Sequence, residues 1–164
     1  MPIYKLKNVI KNYAWGSKSA FSELFSIVNQ NDEPQAELWM GAHPSGSSVD
    51  AKTGMQLSDI IEHNKVANLG GYTSARFGEL PFLLKVLSAA SPLSIQVHPS
   101  KLKAEQGYER ENELGTELSA PNRNYKDANH KPELIYALTA FKAMNGFRPV
   151  EQIVELFRGA GLTS

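Results

Sequence analysis

The stretch Pro92-Leu93-Ser94-Ile95-Gln96-Val97-His98-Pro99 decides how this chain of 164 residues is read. Between its prolines, apolar and polar residues alternate without a break. In an extended strand successive side chains point to opposite faces, so Leu93, Ile95 and Val97 share one side and Ser94, Gln96 and His98 the other. A strand over 93–97 follows, and its polar face has two readings. It meets solvent, as in any two-sided strand. Or it turns inward at a barrel mouth, where an amide oxygen and an imidazole nitrogen two residues apart, with Cβ atoms roughly 7 Å from each other, reach one cation.

Outward from this stretch, further short apolar runs are bounded by turn formers and read as strands over 37–40, before Gly41, over 82–87, after Pro81, and over 133–138, after Pro132. Between them lie brief helices over 19–25, over 58–64 with Ile60 and Ile61 as the buried edge, and over 100–106, with Ser100 as cap and Gly107 as stop. None is long enough for regular βαβ crossovers. The expected fold class is mostly β, a barrel or sandwich with short peripheral helices, rather than a doubly wound sheet.

The end of the chain differs. Pro149 stands at a first helical position, Ile153, Val154, Leu156 and Phe157 follow at helical spacing, and Arg158 precedes Gly159. This predicts a helix over 149–158 whose apolar face must bury against something. The expectation is that the polypeptide ends near the start of a further helical region.

Seventeen Lys and Arg balance 17 Asp and Glu, so no bulk field favours nucleic-acid phosphates or an anionic membrane surface. The absence of cysteine excludes a disulfide framework, a thiolate metal site and a Cys nucleophile, leaving histidine, carboxylate and amide as metal ligands. No run approaches the roughly 20 apolar residues of a membrane span, and the first residues lack a signal peptide's apolar core. A soluble, cytoplasmic protein is expected.

Several residues carry candidate chemistry. In His130-Lys131-Pro132-Glu133-Leu134-Ile135-Tyr136-Ala137-Leu138, alternation sets Glu133 opposite Leu134, Tyr136 and Leu138. Glu133 is then either a carboxylate at a strand's wet end, paired with Lys131, or an acid ligand. Lys85 interrupts an otherwise apolar run, and either snorkels from an edge strand or meets an anionic ligand or a site carboxylate. Glu37 and His43 are similarly open. Trp15, in Ala14-Trp15-Gly16, is a core plug or an aromatic wall for a sugar. No nucleotide-binding glycine loop, Ser-His-Asp signature or paired-histidine helix is present.

Five strings occur in one order: Tyr13-Ala14-Trp15-Gly16, Glu37-Leu38-Trp39-Met40-Gly41, Leu80-Pro81-Phe82-Leu83-Leu84-Lys85-Val86-Leu87, Ser94-Ile95-Gln96-Val97-His98-Pro99 and Asn129-His130-Lys131-Pro132-Glu133. In this the chain resembles the type I phosphomannose isomerase family over about residues 3–149. The resemblance implies a zinc-dependent cupin-type jelly-roll barrel with an inserted helical domain, interconverting mannose 6-phosphate and fructose 6-phosphate. It makes residues 1–148 a cupin-like catalytic barrel half and 149–164 the start of a helical region.

By the same resemblance, Gln96, His98 and Glu133 are three of four ligands to one zinc ion. Lys131 and His130 handle protons, and Ser94, Lys85, Lys131 and Trp15 face a phosphorylated hexose. The family's fourth ligand, a histidine, and an arginine lie in its second barrel half, beyond this chain; His43 and His63 do not match that ligand. Weak zinc binding and little or no turnover are expected of the isolated chain. Two alternatives stand beside the enzyme: a non-catalytic metal- or sugar-phosphate-binding cupin module, and self-association of chains through the last helix.

Overall fold

The computed structural model describes residues 2–162. The chain divides into two compact units, one up to Ile95 and the other from Gln96. The first holds strands β1 (Leu6–Lys7), β2 (Val9–Lys11), β3 (Glu37–Met40), β4 (Ala42–His43), β5 (Gly46–Ser47), β6 (Val49–Asp50) and β7 (Leu84–Leu87), with helices α1 (Ala20–Phe25), α2 (Leu57–His63), α3 (Lys65–Leu69) and α4 (Gly71–Phe77). The second holds α5 (Lys101–Glu113) and α6 (Val150–Gly159).

All strand pairing is antiparallel. The main sheet runs β2-β3-β7, while β1-β6 and β4-β5 are two-stranded. Register sets Trp39 opposite Val9 and Lys85, and Glu37 opposite Lys11 and Leu87. By alternation these six residues share one face, and Ile10, Leu38 and Val86 share the other. The face with Trp39 is the buried one: Glu37 and Trp39 are both buried, whereas Leu38 and Met40 are half-buried. Phe21, Ala36, Ile60 and Ile61 complete the apolar core of this unit.

One glycine is indispensable here. A Cβ on Gly16 would stand 2.5 Å from the backbone nitrogen of Ala36. Only a residue without Cβ allows the 13–17 turn to lie against the entry to β3, where Ser17 pairs with Gln35 and Gly16 with Ala89.

Strand β3 and helices α1 and α2 fall within a residue of expectation. Strand β7 begins at Leu84 rather than at residue 82, because its partner β3 is only four residues long and Met40 is paired with Leu84. Lys85 sits on a strand at the edge of the main sheet, opposite Trp39, and its ammonium pairs with Glu37 two residues along β3.

Two expected strands are absent. Neither 93–97 nor 133–138 forms a ladder among the described residues. Alternation fixes where side chains of an extended segment point, but a strand also needs a neighbour to accept its hydrogen bonds. No second layer covers these segments: Val97 is 76 % exposed and Leu134 96 %. Among the described residues the three sheets have two or three strands each, and none of them closes into a barrel.

Helix α5 runs on to Glu113, well past Gly107, which had read as its stop. Gly107 keeps helical backbone; a Cβ there would meet the Tyr125 ring at 2.5 Å. The glycine is a seat for an aromatic ring. Termination falls instead to Gly115, at φ 68°. Helix α6 starts at Val150, one residue after Pro149, and its Val150, Leu156 and Phe157 are exposed.

Candidate functional site

The segment from His98 leads directly into α5. Pro99 fixes its own φ, and Ser100, in extended conformation, caps the helix by accepting a hydrogen bond from the Lys103 amide at 3.4 Å. Lys101 in the first turn reaches across to a later segment. Its Nζ donates to the Ala128 carbonyl at 2.9 Å and to Asn129 Oδ1 at 3.2 Å, and lies 3.2 Å from the Glu105 carboxylate. The amide of Asn129 in turn donates to Asp127 Oδ1 at 2.8 Å.

This tether brings the second run of interest to the first. His98 Nε2 lies 4.0 Å from Glu133 Oε1. A cavity of about 280 Å³ is walled on one side by His98 to Lys101 and on the other by His130 to Pro132. Lys131 lines that cavity and lies 4.0 Å from Asp127 Oδ2, so its carboxylate neighbour is Asp127 rather than Glu133. Gln96 is exposed two residues before His98. Among the described residues, no three His, Asp or Glu side chains converge as a ready metal cluster; a third ligand here would have to be an amide or come from elsewhere.

Further along α5 the unit holds a buried ion pair that nothing in the sequence advertised. The Arg123 side chain is wholly buried and its Nε lies 3.1 Å from Glu111 Oε2. Arg123 donates to the Tyr125 carbonyl at 2.6 Å, to the Thr116 carbonyl at 2.5 Å and to Asn112 Oδ1 at 2.7 Å. Glu111 accepts from the Tyr125 amide at 2.8 Å and from the Asn124 amide and side chain at 3.3 Å. These donors, the Tyr125 amide foremost, hold the Glu111 carboxyl below its ordinary range against the opposing effect of burial. Ala104, Gly107 and Glu111 recur along one face of α5, a spacing legible in hindsight as a buried stripe. Arg123 carried no such signal.

Lys85, Ser94 and Trp15 belong to the first unit. Lys85 Nζ lies 3.4 Å from Glu37 Oε2 and 4.9 Å from the centre of the Trp39 ring. Glu37 is held by a second donor, Trp39 Nε1, at 2.5 Å. Lys11 Nζ approaches the same ring to 4.4 Å while donating to the Ser45 carbonyl at 2.6 Å. One indole thus faces two ammonium groups, of which Lys85 is also paired with the buried Glu37 carboxylate and Lys11 with a backbone carbonyl, so neither cation lacks a partner on this face. Trp15 is half-buried and stacked on Tyr13 with ring centres 5.9 Å apart. Ser94 is exposed.

Residues 3–150 match the family model of the type I phosphomannose isomerase catalytic domain. The chain is 56 % identical over 157 residues to mannose-6-phosphate isomerase of Salmonella typhimurium and 55 % identical to that of Escherichia coli, covering 94 % of this chain and 40 % of each relative. It therefore spans about two-fifths of the length of the curated relatives it matches. A crystal structure of the Salmonella typhimurium enzyme bound to fructose 6-phosphate and zinc superposes with a TM-score of 0.87 at 56 % identity, over 94 % of this chain and 40 % of that one. A second, of a mannose 6-phosphate isomerase bound with zinc and yttrium, gives the same TM-score of 0.87. The His98 and Glu133 pair and the Lys85 sheet sit within the matched span, and the chain belongs to the type I phosphomannose isomerase family.

Proposed function

We propose that this chain supplies the zinc-binding and proton-handling part of an aldose-ketose isomerase that interconverts mannose 6-phosphate and fructose 6-phosphate. The observation that carries the proposal is the 4.0 Å between His98 Nε2 and Glu133 Oε1. It is close to the roughly 3.4 Å that separates two donors on a tetrahedral zinc with bonds of about 2.0–2.2 Å, so the pair is spaced to share one ion after a small closure. Gln96 is the third proposed ligand, two residues before His98 on the same segment. The nitrogen and oxygen donors suit zinc, which when bound supplies an electrophile for the sugar's oxygens.

The chain's own residues do the rest. Isomerisation takes a proton from the carbon beside a carbonyl and returns it to the neighbouring carbon. His130 and Lys131, on the cavity wall next to Glu133, are the proposed proton carriers. Lys131 also offers its ammonium to substrate anions, as does Lys85, whose position is held by Glu37 and Trp39. Ser94 is assigned a hydroxyl contact to the sugar phosphate, and Trp15 an apolar wall for the ring. The partner is thus a phosphorylated hexose, and a cytoplasmic location suits such a metabolite; no helix of the described residues is long and apolar enough to cross a membrane.

The same reading assigns residues 1–148 to a cupin-type jelly-roll half and 149–164 to the start of a helical region, in keeping with a family match that ends where α6 begins. Self-association through the exposed apolar face of α6 remains part of the proposal. A second reading, a non-catalytic metal- or sugar-phosphate-binding module, is favoured by one observation: among the described residues no three His, Asp or Glu side chains gather as a ready metal cluster.

Metal analysis after dialysis against zinc, with and without mannose 6-phosphate, tests the assignment. One zinc per chain, held more tightly with the sugar phosphate and lost in His98→Ala, is the expected result. Zinc retained equally by parent and His98→Ala would falsify it. Retention of zinc with no response to the sugar phosphate selects the metal-binding module.

A further inference from the structure

We infer that the Glu111–Arg123 clasp, together with the Tyr125 ring seated on Gly107, is a positioning device that sets the distance between His98 and Glu133. The inference rests on the proposed zinc site and deepens it. His98 is tied to the start of α5 through Pro99 and the Ser100 cap, so the helix carries that ligand. Glu133 reaches the site only through the irregular segment from Thr116 onward, which has no strand pairing to steady it. That segment is fastened to α5 at two places. At the far end, Arg123 grips the Thr116 and Tyr125 carbonyls and Asn112, while Glu111 takes the amides of Asn124 and Tyr125. At the near end, Lys101 takes the Ala128 carbonyl and Asn129.

The two fastenings bracket a short run, 126–127, and leave three residues from Asn129 to Lys131 before the Pro132-Glu133 pair. Seven residues separate Tyr125 from Glu133, and the tether at Ala128 and Asn129 ties that run back to α5 on the way, so clasp and tether together set where the approach to Glu133 begins. Each fastening is of a kind that resists such a shift. Arg123 uses its whole guanidinium fork, a planar arrangement that lysine cannot reproduce, and its ring contact with Tyr108, 5.1 Å to the centre, holds the plane. A Cβ at position 107 would stand 2.5 Å from the Tyr125 ring, so the ring keeps its seat only over glycine. Partners that orient metal ligands from behind commonly govern affinity 10–100-fold.

The experiment is a cobalt(II) titration of the chain, followed by the visible d–d absorption of the bound ion. Gly107→Ala and Arg123→Lys are each expected to weaken cobalt binding about 10–100-fold and to alter the band, with circular dichroism unchanged at the assay temperature. Lys101→Met, at an exposed side chain that does not threaten folding, is expected to act in the same direction. Phe21→Leu, a cavity substitution in the first unit, lowers the melting temperature and is expected to leave cobalt affinity alone. Parent-like affinity in Gly107→Ala, Arg123→Lys and Lys101→Met, with binding that His98→Ala still abolishes, overturns the positioning role and leaves the zinc site standing. An equal loss in Phe21→Leu overturns it too, since general destabilisation then accounts for the effect. Cobalt binding by the parent that is indifferent to His98→Ala, or no binding at all, overturns the zinc reading and the inference with it.

Discussion

Glu133 and Glu111 are carboxylates in one unit with opposite employment. The Glu133 side chain is 59 % exposed and faces His98, whereas that of Glu111 is 9 % exposed and saturated by an arginine and backbone amides. An exposed acid adds little to folding, so Glu133→Gln is expected to leave the melting temperature within a degree or two, while zinc affinity falls at least tenfold; calorimetric titration of both proteins checks this. Glu111 behaves in the reverse way. Its folded carboxyl titrates below the ordinary carboxylate range, so it contributes stability that is fully present above its unfolded value of about 4.3 and is lost as pH falls through the folded value. Asp50, held down chiefly by the Thr53 hydroxyl, adds to the same slope. Denaturation midpoints measured from pH 7 to pH 3 should fall steeply below about pH 4.3, and the fall should be shallower in Glu111→Gln, which starts from a lower midpoint at neutral pH. Equal slopes would contradict the role given to Glu111.

Among the elements, what could be read from sequence was what local chemistry dictates. Strand β3 stops at Gly41, Ser100 caps α5, and Lys85, which the apolar run left either to an edge strand or to a carboxylate, has both: β7 lies at the sheet edge and Glu37 pairs with the ammonium. What could not be read was pairing at a distance. The alternation of 93–97 and 133–138 shows where side chains point but not whether a neighbouring strand is there to bond, and Gly107 looked like a stop because its reason for being glycine, the Tyr125 ring, lies many residues away. The proximity of His98 and Glu133 came from family resemblance, since no spacing rule links two residues separated by a 13-residue helix and a loop. Gly16 gives an element-scale test. Because its absent Cβ would meet backbone rather than a movable side chain, Gly16→Ala is expected to cost about 1–3 kcal/mol or more, read as a lowered denaturation midpoint with an unchanged denaturant slope. A change below about 0.5 kcal/mol would mean that the 13–17 turn does not hold its place against the entry to β3.

For the molecule, the proposed zinc site joins segments that have no regular pairing of their own, and exposed apolar side chains surround them, Leu134 and Tyr136 among them. A ligand that binds only the folded chain stabilises it by mass action, so zinc at a hundredfold excess over its Kd should raise the unfolding free energy by about 2.7 kcal/mol, an increment absent in His98→Ala. The most direct measurement is X-ray absorption at the zinc edge on the zinc-loaded chain and on His98→Ala. The account predicts a shell of nitrogen and oxygen donors only, at about 2.0–2.2 Å, with the outer-shell scattering of an imidazole that disappears when His98 is replaced. Imidazole scattering that persists unchanged in His98→Ala would contradict it.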